Sequence, residues 1–281
     1  MTPSTGAGLP DLSDAVTISE ACRHELRKRG HTVVRGLAAP AEVAAYRPAI
    51  VDAGPHGRYD HRPLAERDTY GKAFVQMVNL WRHDRRVQAF VHARRFAKAA
   101  ADLLGVDAIR LYHDQALFKE PGGGITPWHQ DQFYWPLDTS HTITLWMPLV
   151  PIDAVRGPMR FASGSHRLGN LGDFPIGDAS EESFGRIVRE HGLEPSDHAP
   201  FAAGDATFHG GWTLHSAPPN RSDRMREVMT IIYYADGARI GPLDHPARRF
   251  DRDVWLRGCE AGELAAGPLN PVLYDRRAEG A

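Results

Sequence analysis

From about Ala108 the chain turns into a succession of short β-rich runs, 109–119, 141–150, 159–162, 206–208 and 225–235, separated by Gly, Pro, Asn and Asp turns. Strands that follow one another without helices between them cannot build βαβ units and a parallel sheet. They predict antiparallel sheets closed into a sandwich or barrel. The first hundred residues read differently. Thr17-Ile18-Ser19-Glu20 has the form of a capping box, with Glu20 three residues after Thr17. A helix is expected from there to Arg29, stopped by Gly30, then a strand over 31–37. Pro40 opens a second helix to about residue 53, ended by Gly54-Pro55, and 84–91 and 93–104 are further helices. The long acidic stretch 172–197 carries one helix at 181–190 and reads as a lid or binding loop. The expected organisation over 1–281 is a single domain: a helical N-terminal region over 1–107, a β core over 108–236 and an extension over 237–281.

Composition excludes several classes. A net charge of −2 offers no electrostatic case for nucleic acid or an anionic membrane as partner. The Thr/Gly/Pro-rich start, 1–10, lacks the pattern of a secretory leader, and no apolar run reaches membrane-spanning length. Two cysteines, Cys22 and Cys259, lie far apart without a CxxC, so a reduced, cytoplasmic setting is expected.

One His-x-Asp stands in the chain, Trp128-His129-Gln130-Asp131, among aromatics and just after a triple glycine. Side chains two apart on a strand share a face, so His129 and Asp131 offer an imidazole nitrogen and a carboxylate oxygen to one ion. A second, distant histidine completes a two-His-one-carboxylate facial triad, which leaves open positions and suits non-haem Fe(II). His141, His166, His191, His198, His209, His215 and His245 are available. His209 and His215 lie six residues apart, and strand periodicity alone does not separate them.

An oxygenase built on such a triad uses a dicarboxylic 2-oxo acid, whose far carboxylate needs a buried cation. Arginine suits this because its guanidinium fork bonds a carboxylate bidentately. In Arg226-Glu227-Val228-Met229-Thr230-Ile231, Arg226, Val228 and Thr230 share one face, and a lone inward arginine is costly without an anion.

With these residues the chain resembles the phytanoyl-CoA dioxygenase family of Fe(II)/2-oxoglutarate oxygenases, whose pattern is Trp-His-x-Asp and a distal His followed eleven residues later by Arg. His215 and Arg226 fit that pair (226 − 215 = 11), whereas His209 would need Asn220. The likeness runs from about Ala108 to Asp236 and includes Gln115-Ala116-Leu117-Phe118-Lys119, Gly157-Pro158-Met159-Arg160-Phe161, Ser163-Gly164-Ser165-His166 and Gly204-Asp205. It implies a mainly β fold with a double-stranded β-helix core (jelly roll, cupin-like) and N-terminal helices packed on it. It further implies that His129, Asp131 and His215 ligate Fe(II), and that Arg226 binds 2-oxoglutarate with Gln115 and Trp146 beside it. The reaction expected is O2-dependent oxidation, most simply hydroxylation, of a C–H bond in a small-molecule substrate, releasing succinate and CO2. Secondary-metabolite biosynthesis is the setting typical of such relatives. Retention of Asp131 argues against halogenation. Many members carry Ser or Thr two residues past the distal His; this chain has Ala217, so Thr230 or Ser216 substitutes or the bond is missing. Oxidative cyclisation, epimerisation and alcohol oxidation remain alternatives, as does a non-oxidative cupin-like isomerase or binding module.

Other features have plainer readings. His113-Asp114 is structural, His166 bonds a loop, and His209 is a satisfied or pocket-lining residue. Gly122-Gly123-Gly124 is a turn at the mouth of the site, since no phosphate-loop lysine follows. Phe133, Tyr134 and Trp135 are either pocket floor or core. Arg221 and Arg224 are solvated, and Arg248, Arg249 and Arg252 belong to a salt-bridged surface.

Overall fold

The chain is described by a computed structural model that covers residues 8–58 and 60–280, with the side chains of 279 and 280 outside the description. Positions 1–7 of the Thr/Gly/Pro-rich start lie outside the described residues. The helical region comprises α1 (Glu20–Arg29), α2 (Pro40–Gly57), α3 (Thr69–Ala73), α4 (Arg85–Val91) and α5 (Arg94–Leu104), with strands β1 (His31–Val34) and β2 (Val75–Val78) between them. The β-rich region runs β3 (Ala108–Phe118), β4 (Thr126–His129), β5 (Thr142–Pro148), β6 (Arg160–Ala162), α6 (Asp178–Glu190), β7 (Pro195–Asp197), β8 (Ala206–Gly210), β9 (His215–Ala217) and β10 (Val228–Ala235). Helix α7 (Pro246–Trp255) and strand β11 (Val272–Asp275) follow. Among the described residues no helix is long and apolar enough to cross a membrane.

Two antiparallel sheets result. The larger has the order β1-β8-β5-β10-β3-β11, with β2 also on β3, and the smaller has β4-β9-β6-β7. This is the expected jelly roll, and strand alternation decides what each face does. On β5, Ile143, Leu145 and Met147 face a core shared with Val43, Phe90 and Phe96 of the helices. Thr144 and Trp146 face the space between the sheets. On β10, Met229, Ile231 and Tyr233 join the helix-side core, while Thr230 and Ile232 point inward. Strand β3 changes face midway. Its register against β10 shifts at Ile232/Tyr233, leaving Tyr112 as the extra residue of a bulge. Ile109 and Leu111 therefore face the helices, but beyond the bulge His113, Gln115 and Leu117 face the interior.

Local expectations hold where caps and packing agree. Gly30 and Gly105 end α1 and α5 with φ of +84° and +71°. The N-cap of α1 is Ser19, not Thr17: its hydroxyl accepts from the Cys22 N–H, so the helix starts two residues later than a Thr17 box requires. Gly54-Pro55 does not end α2, which runs to Gly57 with Pro48 and Pro55 inside it. Tyr46, Ala49, Ile50 and Ala53 bury one face of that helix, and the packing outweighs the hydrogen bonds the prolines omit. The strand expected over 31–37 stops at Val34, and α6 begins at Asp178 rather than residue 181. The segment after it is ordered as β7 against β6.

Candidate metal and 2-oxo acid site

A cavity of about 550 Å³ lies between the sheets, and every residue predicted for the site reaches it. His129 ends β4, and His215 starts β9 directly opposite it in the β4–β9 ladder. Their ring centroids are 4.0 Å apart. Each imidazole donates its Nδ1–H to a backbone carbonyl two residues back, Pro127 at 2.8 Å and Thr213 at 2.9 Å, which leaves Nε2 facing the cavity. Asp131 Oδ1 stands 3.6 Å from His129 Nε2 and 3.7 Å from His215 Nε2. The three ligand atoms lie within 4.8 Å of one another, a spacing that one ion can span. The donor set of two imidazoles and one carboxylate fits the facial triad.

The reason given by simple strand alternation needs correcting. Asp131 is not on the strand: it opens a 3-10 turn, Asp131–Phe133, immediately after β4. Gln130 between them turns the opposite way. Its amide donates to Gly169 O at 2.9 Å and Trp212 O at 2.7 Å, and accepts from Leu171 N at 3.0 Å. The motif is thereby tied to the segment before α6 and to the turn before β9. Glu181 of α6 accepts from Trp128 N at 2.9 Å, and Tyr134 OH accepts from Ile176 N at 2.8 Å, so the acidic insertion is clasped to the site.

The electrostatics favour metal binding. Burial, with help from the neighbouring His215, lowers His129 to about 3, and burial lowers His215 to about 4, so both rings keep a free lone pair at neutral pH. Burial opposes ionisation of Asp131, but the imidazoles of His215, His209 and His129 outweigh it and hold its carboxyl far below the usual range. The second oxygen, Oδ2, accepts from Thr144 Oγ1 at 3.1 Å and lies 3.4 Å from His209 Nε2 without hydrogen-bond alignment. Oδ1 alone is left for an ion. His209 lines the cavity beside Asp131, its ring centroid 4.4 Å from that of His215, and neither of its nitrogens has a well-aligned hydrogen-bond partner among the described residues. It is thus pocket-lining and unsatisfied.

Arg226 is 2% exposed and sits in a bridge to Lys119 just ahead of β10. One guanidinium nitrogen donates to Gly157 O at 2.8 Å, Nε has no partner, and the Trp146 ring lies 5.7 Å away. Glu227 faces the opposite side, paired with Arg47 of α2 at 2.5 Å, as alternation requires. Burial pulls Arg226 down to about 9, still charged at neutral pH. Gln115 lines the cavity and accepts from Gln76 at 2.7 Å. Both residues expected to replace the hydroxyl absent at Ala217 line the cavity. Thr230 donates to Gln115 O at 3.1 Å, and Ser216 accepts from Arg160 at 2.8 Å. Thr126 stands directly across the ladder from Ala217 and lines the cavity.

The sequence reading missed the partner of that hydroxyl. Lys119, fully buried, donates to Thr126 Oγ1 at 3.2 Å and to Gly124 O at 2.5 Å. Burial, then the charge of Arg226, lowers it to about 6. The signal available was a lysine at the end of an apolar strand, just ahead of the triple glycine. None of these glycines is among the described residues that line the cavity, and Gly124 supplies a carbonyl that accepts from Lys119 Nζ. His113-Asp114 divides in two: Asp114 accepts from Leu80 N at 3.0 Å and is structural, while the bulge turns His113 into the cavity. Tyr134 and Trp135 line the cavity, and Phe133 packs on His245 with centroids 4.7 Å apart. His166 bonds Arg27 O at 3.2 Å, a carbonyl in the last turn of α1 and not in a loop.

A jelly roll carrying a His/Asp/His cluster in its interior is the architecture of non-haem iron oxygenases. The phytanoyl-CoA dioxygenase family description matches residues 26–228, and the chain belongs to that family of Fe(II)/2-oxoglutarate-dependent oxygenases. It is similar to the solved structure of the epimerase SnoN in complex with Fe3+, alpha ketoglutarate and nogalamycin RO: 26% identity, TM-score 0.75, 90% of this chain and 98% of that one covered. The carbocyclase SnoK from nogalamycin biosynthesis shares the fold at 23% identity and TM-score 0.75, over 95% and 99% of the two chains. A methylphosphonate hydroxylase from Gimesia maris is 29% identical over 140 residues, 48% of this chain and 49% of that protein, so the chain matches about half the length of that relative.

Because Thr144 fixes which oxygen of Asp131 stays free, Thr144→Val is expected to weaken Fe(II) binding by roughly 10–100-fold while the fold survives. Competitive titration against a chromogenic chelator measures this, and unchanged affinity contradicts the assigned role.

Proposed function

We propose that the protein oxidises, most simply hydroxylates, a C–H bond of a small organic molecule, with Fe(II), 2-oxoglutarate and O2 as cofactor and cosubstrates and with succinate and CO2 released. One observation carries this reading: two neutral imidazoles and a carboxylate share their cavity with a buried guanidinium that has no anionic partner among the described residues. A metal isomerase or ligand-binding jelly roll has no use for that cation, and burying it uncompensated costs several kcal/mol. The likeness to enzymes of nogalamycin biosynthesis supports a role in secondary metabolism; the cytoplasm is the setting proposed for it.

His129, Asp131 and His215 would hold the iron, which supplies oxygen activation coupled to decarboxylation of the 2-oxo acid. The rest falls to the chain. Arg226 binds the far carboxylate of the diacid, and Trp146 packs beside it. Thr126 accepts a hydrogen bond from Lys119 and so keeps its own proton free to donate toward that carboxylate, which restores the hydroxyl missing at Ala217. Thr144 orients Asp131, and the aromatic walls exclude water. Hydroxylation, epimerisation and ring closure differ in how the substrate is held against this common centre.

Anaerobic addition of Fe(II) and 2-oxoglutarate is expected to produce the weak visible charge-transfer band of a chelated 2-oxo acid. Asp131→Ala should abolish both the band and substrate-dependent succinate release in a folded protein; a band or turnover that survives this substitution overturns the triad. A second outcome follows from Lys119. Its lowered value leaves it mostly neutral at about pH 8, and a dicarboxylate nearby favours its charged form. Binding of 2-oxoglutarate should therefore take up a proton and weaken as pH rises above about 6. Calorimetry in buffers of different ionisation enthalpy measures the uptake. Lys119→Met should remove it; uptake that persists in this variant refutes the assignment.

A further inference from the structure

The outer half of the cavity is closed by α7, which lies beyond the residues matched to the family. Ala247, Phe250, Asp251 and Trp255 line it, and their spacing of three, one and four positions puts them on one face of the helix. Tyr70, Phe74, Tyr134 and Trp135 line the same cavity, so this end is a box of rings. Phe250 is 58% exposed and stands at the entrance.

Asp251 is the one acidic side chain that α7 contributes to this lining, and it is 7% exposed. Its Oδ2 accepts from Tyr112 OH at 2.8 Å, and the Trp255 side chain also bonds the carboxylate. It has no basic partner among the described residues. The three arginines of the same helix are engaged elsewhere: Arg248 with Asp244 at 3.3 Å, Arg249 with Leu243 O at 2.7 Å, and Arg252 with Asp253 and Glu260, each at 2.8 Å. His113, its ring tilted 40° against Trp255 with centroids 4.7 Å apart, is no counter-ion, because burial lowers it to about 4. Burial accordingly pushes Asp251 up to about 7. A buried carboxylate without a counter-ion is costly, and the faces of surrounding aromatic rings attract cations.

We propose that this outer half receives a ring-bearing substrate whose protonated amine is held by Asp251, which makes Asp251 a specificity-determining residue. The proposal rests on the oxygenase reading of the cavity and adds the class of molecule oxidised. The cavity then has two poles. Arg226 at the inner end attracts the diacid, and Asp251 at the outer end attracts the amine and repels carboxylates, so cosubstrate and substrate cannot exchange places.

Three naphthalene probes that differ in one group, 1-naphthylmethylamine, 1-naphthalenemethanol and 1-naphthoic acid, test this by calorimetric titration into the metal-free full chain at about pH 8. The amine is expected to bind at least about tenfold more tightly than the alcohol, with the acid weakest. Asp251→Asn, which keeps an acceptor for Tyr112, should erase the advantage of the amine. Phe250→Ala, at an exposed position, should weaken all three probes alike and keep their order. Equal binding of amine and acid to the unaltered protein, survival of the preference in Asp251→Asn, or no loss of any probe in Phe250→Ala overturns the proposal. Because these titrations contain neither metal nor 2-oxoglutarate, their outcome is separate from the charge-transfer band: either reading can fail while the other stands.

Discussion

Everything at the site depends on one registered pair, His129 on β4 opposite His215 on β9. Side chains alternate with a period of two along a strand, so a slip of one residue would send one imidazole out of the cavity. Hydrogen bonds from three directions hold the register. Glu181 takes the Trp128 amide, Ser165 takes the Leu214 amide at 2.9 Å, and Gln130 grips both the turn before β9 and the segment before α6. The smaller sheet has short strands, and these contacts supply the rigidity that its ladder alone cannot. The acidic insertion and the segment leading into it are thus among the elements that hold His129 and His215 in register.

The second constraint is electrostatic. Burial keeps the His129 and His215 imidazoles neutral, and the Asp131 carboxyl is held far below its usual range, so at neutral pH the cluster offers two lone pairs and one negative charge to a cation. Across the cavity Arg226 and Lys119 set up the opposite preference. Groups buried in these states cost free energy in the empty protein, and the helix-side core of Val43, Phe90, Phe96, Leu145, Ile231 and their neighbours offsets that cost. Binding of ion and diacid removes the mismatch, so the loaded protein should be markedly more stable than the empty one.

Much of this was legible in the chain. Helices with a glycine stop and a buried stripe fell where their caps lie, because local geometry and packing agree there. His129 and Asp131 stood out as the one His-x-Asp and Arg226 as an arginine on the inward face of its strand, whereas His215 was separated from His209 by resemblance to the family pattern and not by periodicity. What escaped was decided by tertiary structure. The bulge at Tyr112 reverses the facing of β3 and brings His113 inward, and no turn residue announces it. Lys119 and Thr126 are seven positions apart and meet only because the glycine turn folds back. Strands β2, β7 and β11 are three or four residues long, too short for alternation to register. Helix α7 joins the cavity from an extension whose role local pattern cannot reveal, since its arginines make it look like any solvated surface.

The central claim is that two imidazoles and one carboxylate oxygen share an ion with a diacid whose far end meets a guanidinium. An anaerobic crystal structure with Mn(II) in place of iron and with 2-oxoglutarate, read by anomalous scattering, addresses all of it at once. The account predicts a single anomalous peak bonded to Nε2 of His129, Oδ1 of Asp131 and Nε2 of His215, with the diacid chelating it and ending at Arg226 and Thr126. A peak elsewhere, a ligand set that uses His209 in place of His215, or a diacid turned away from Arg226 would contradict it.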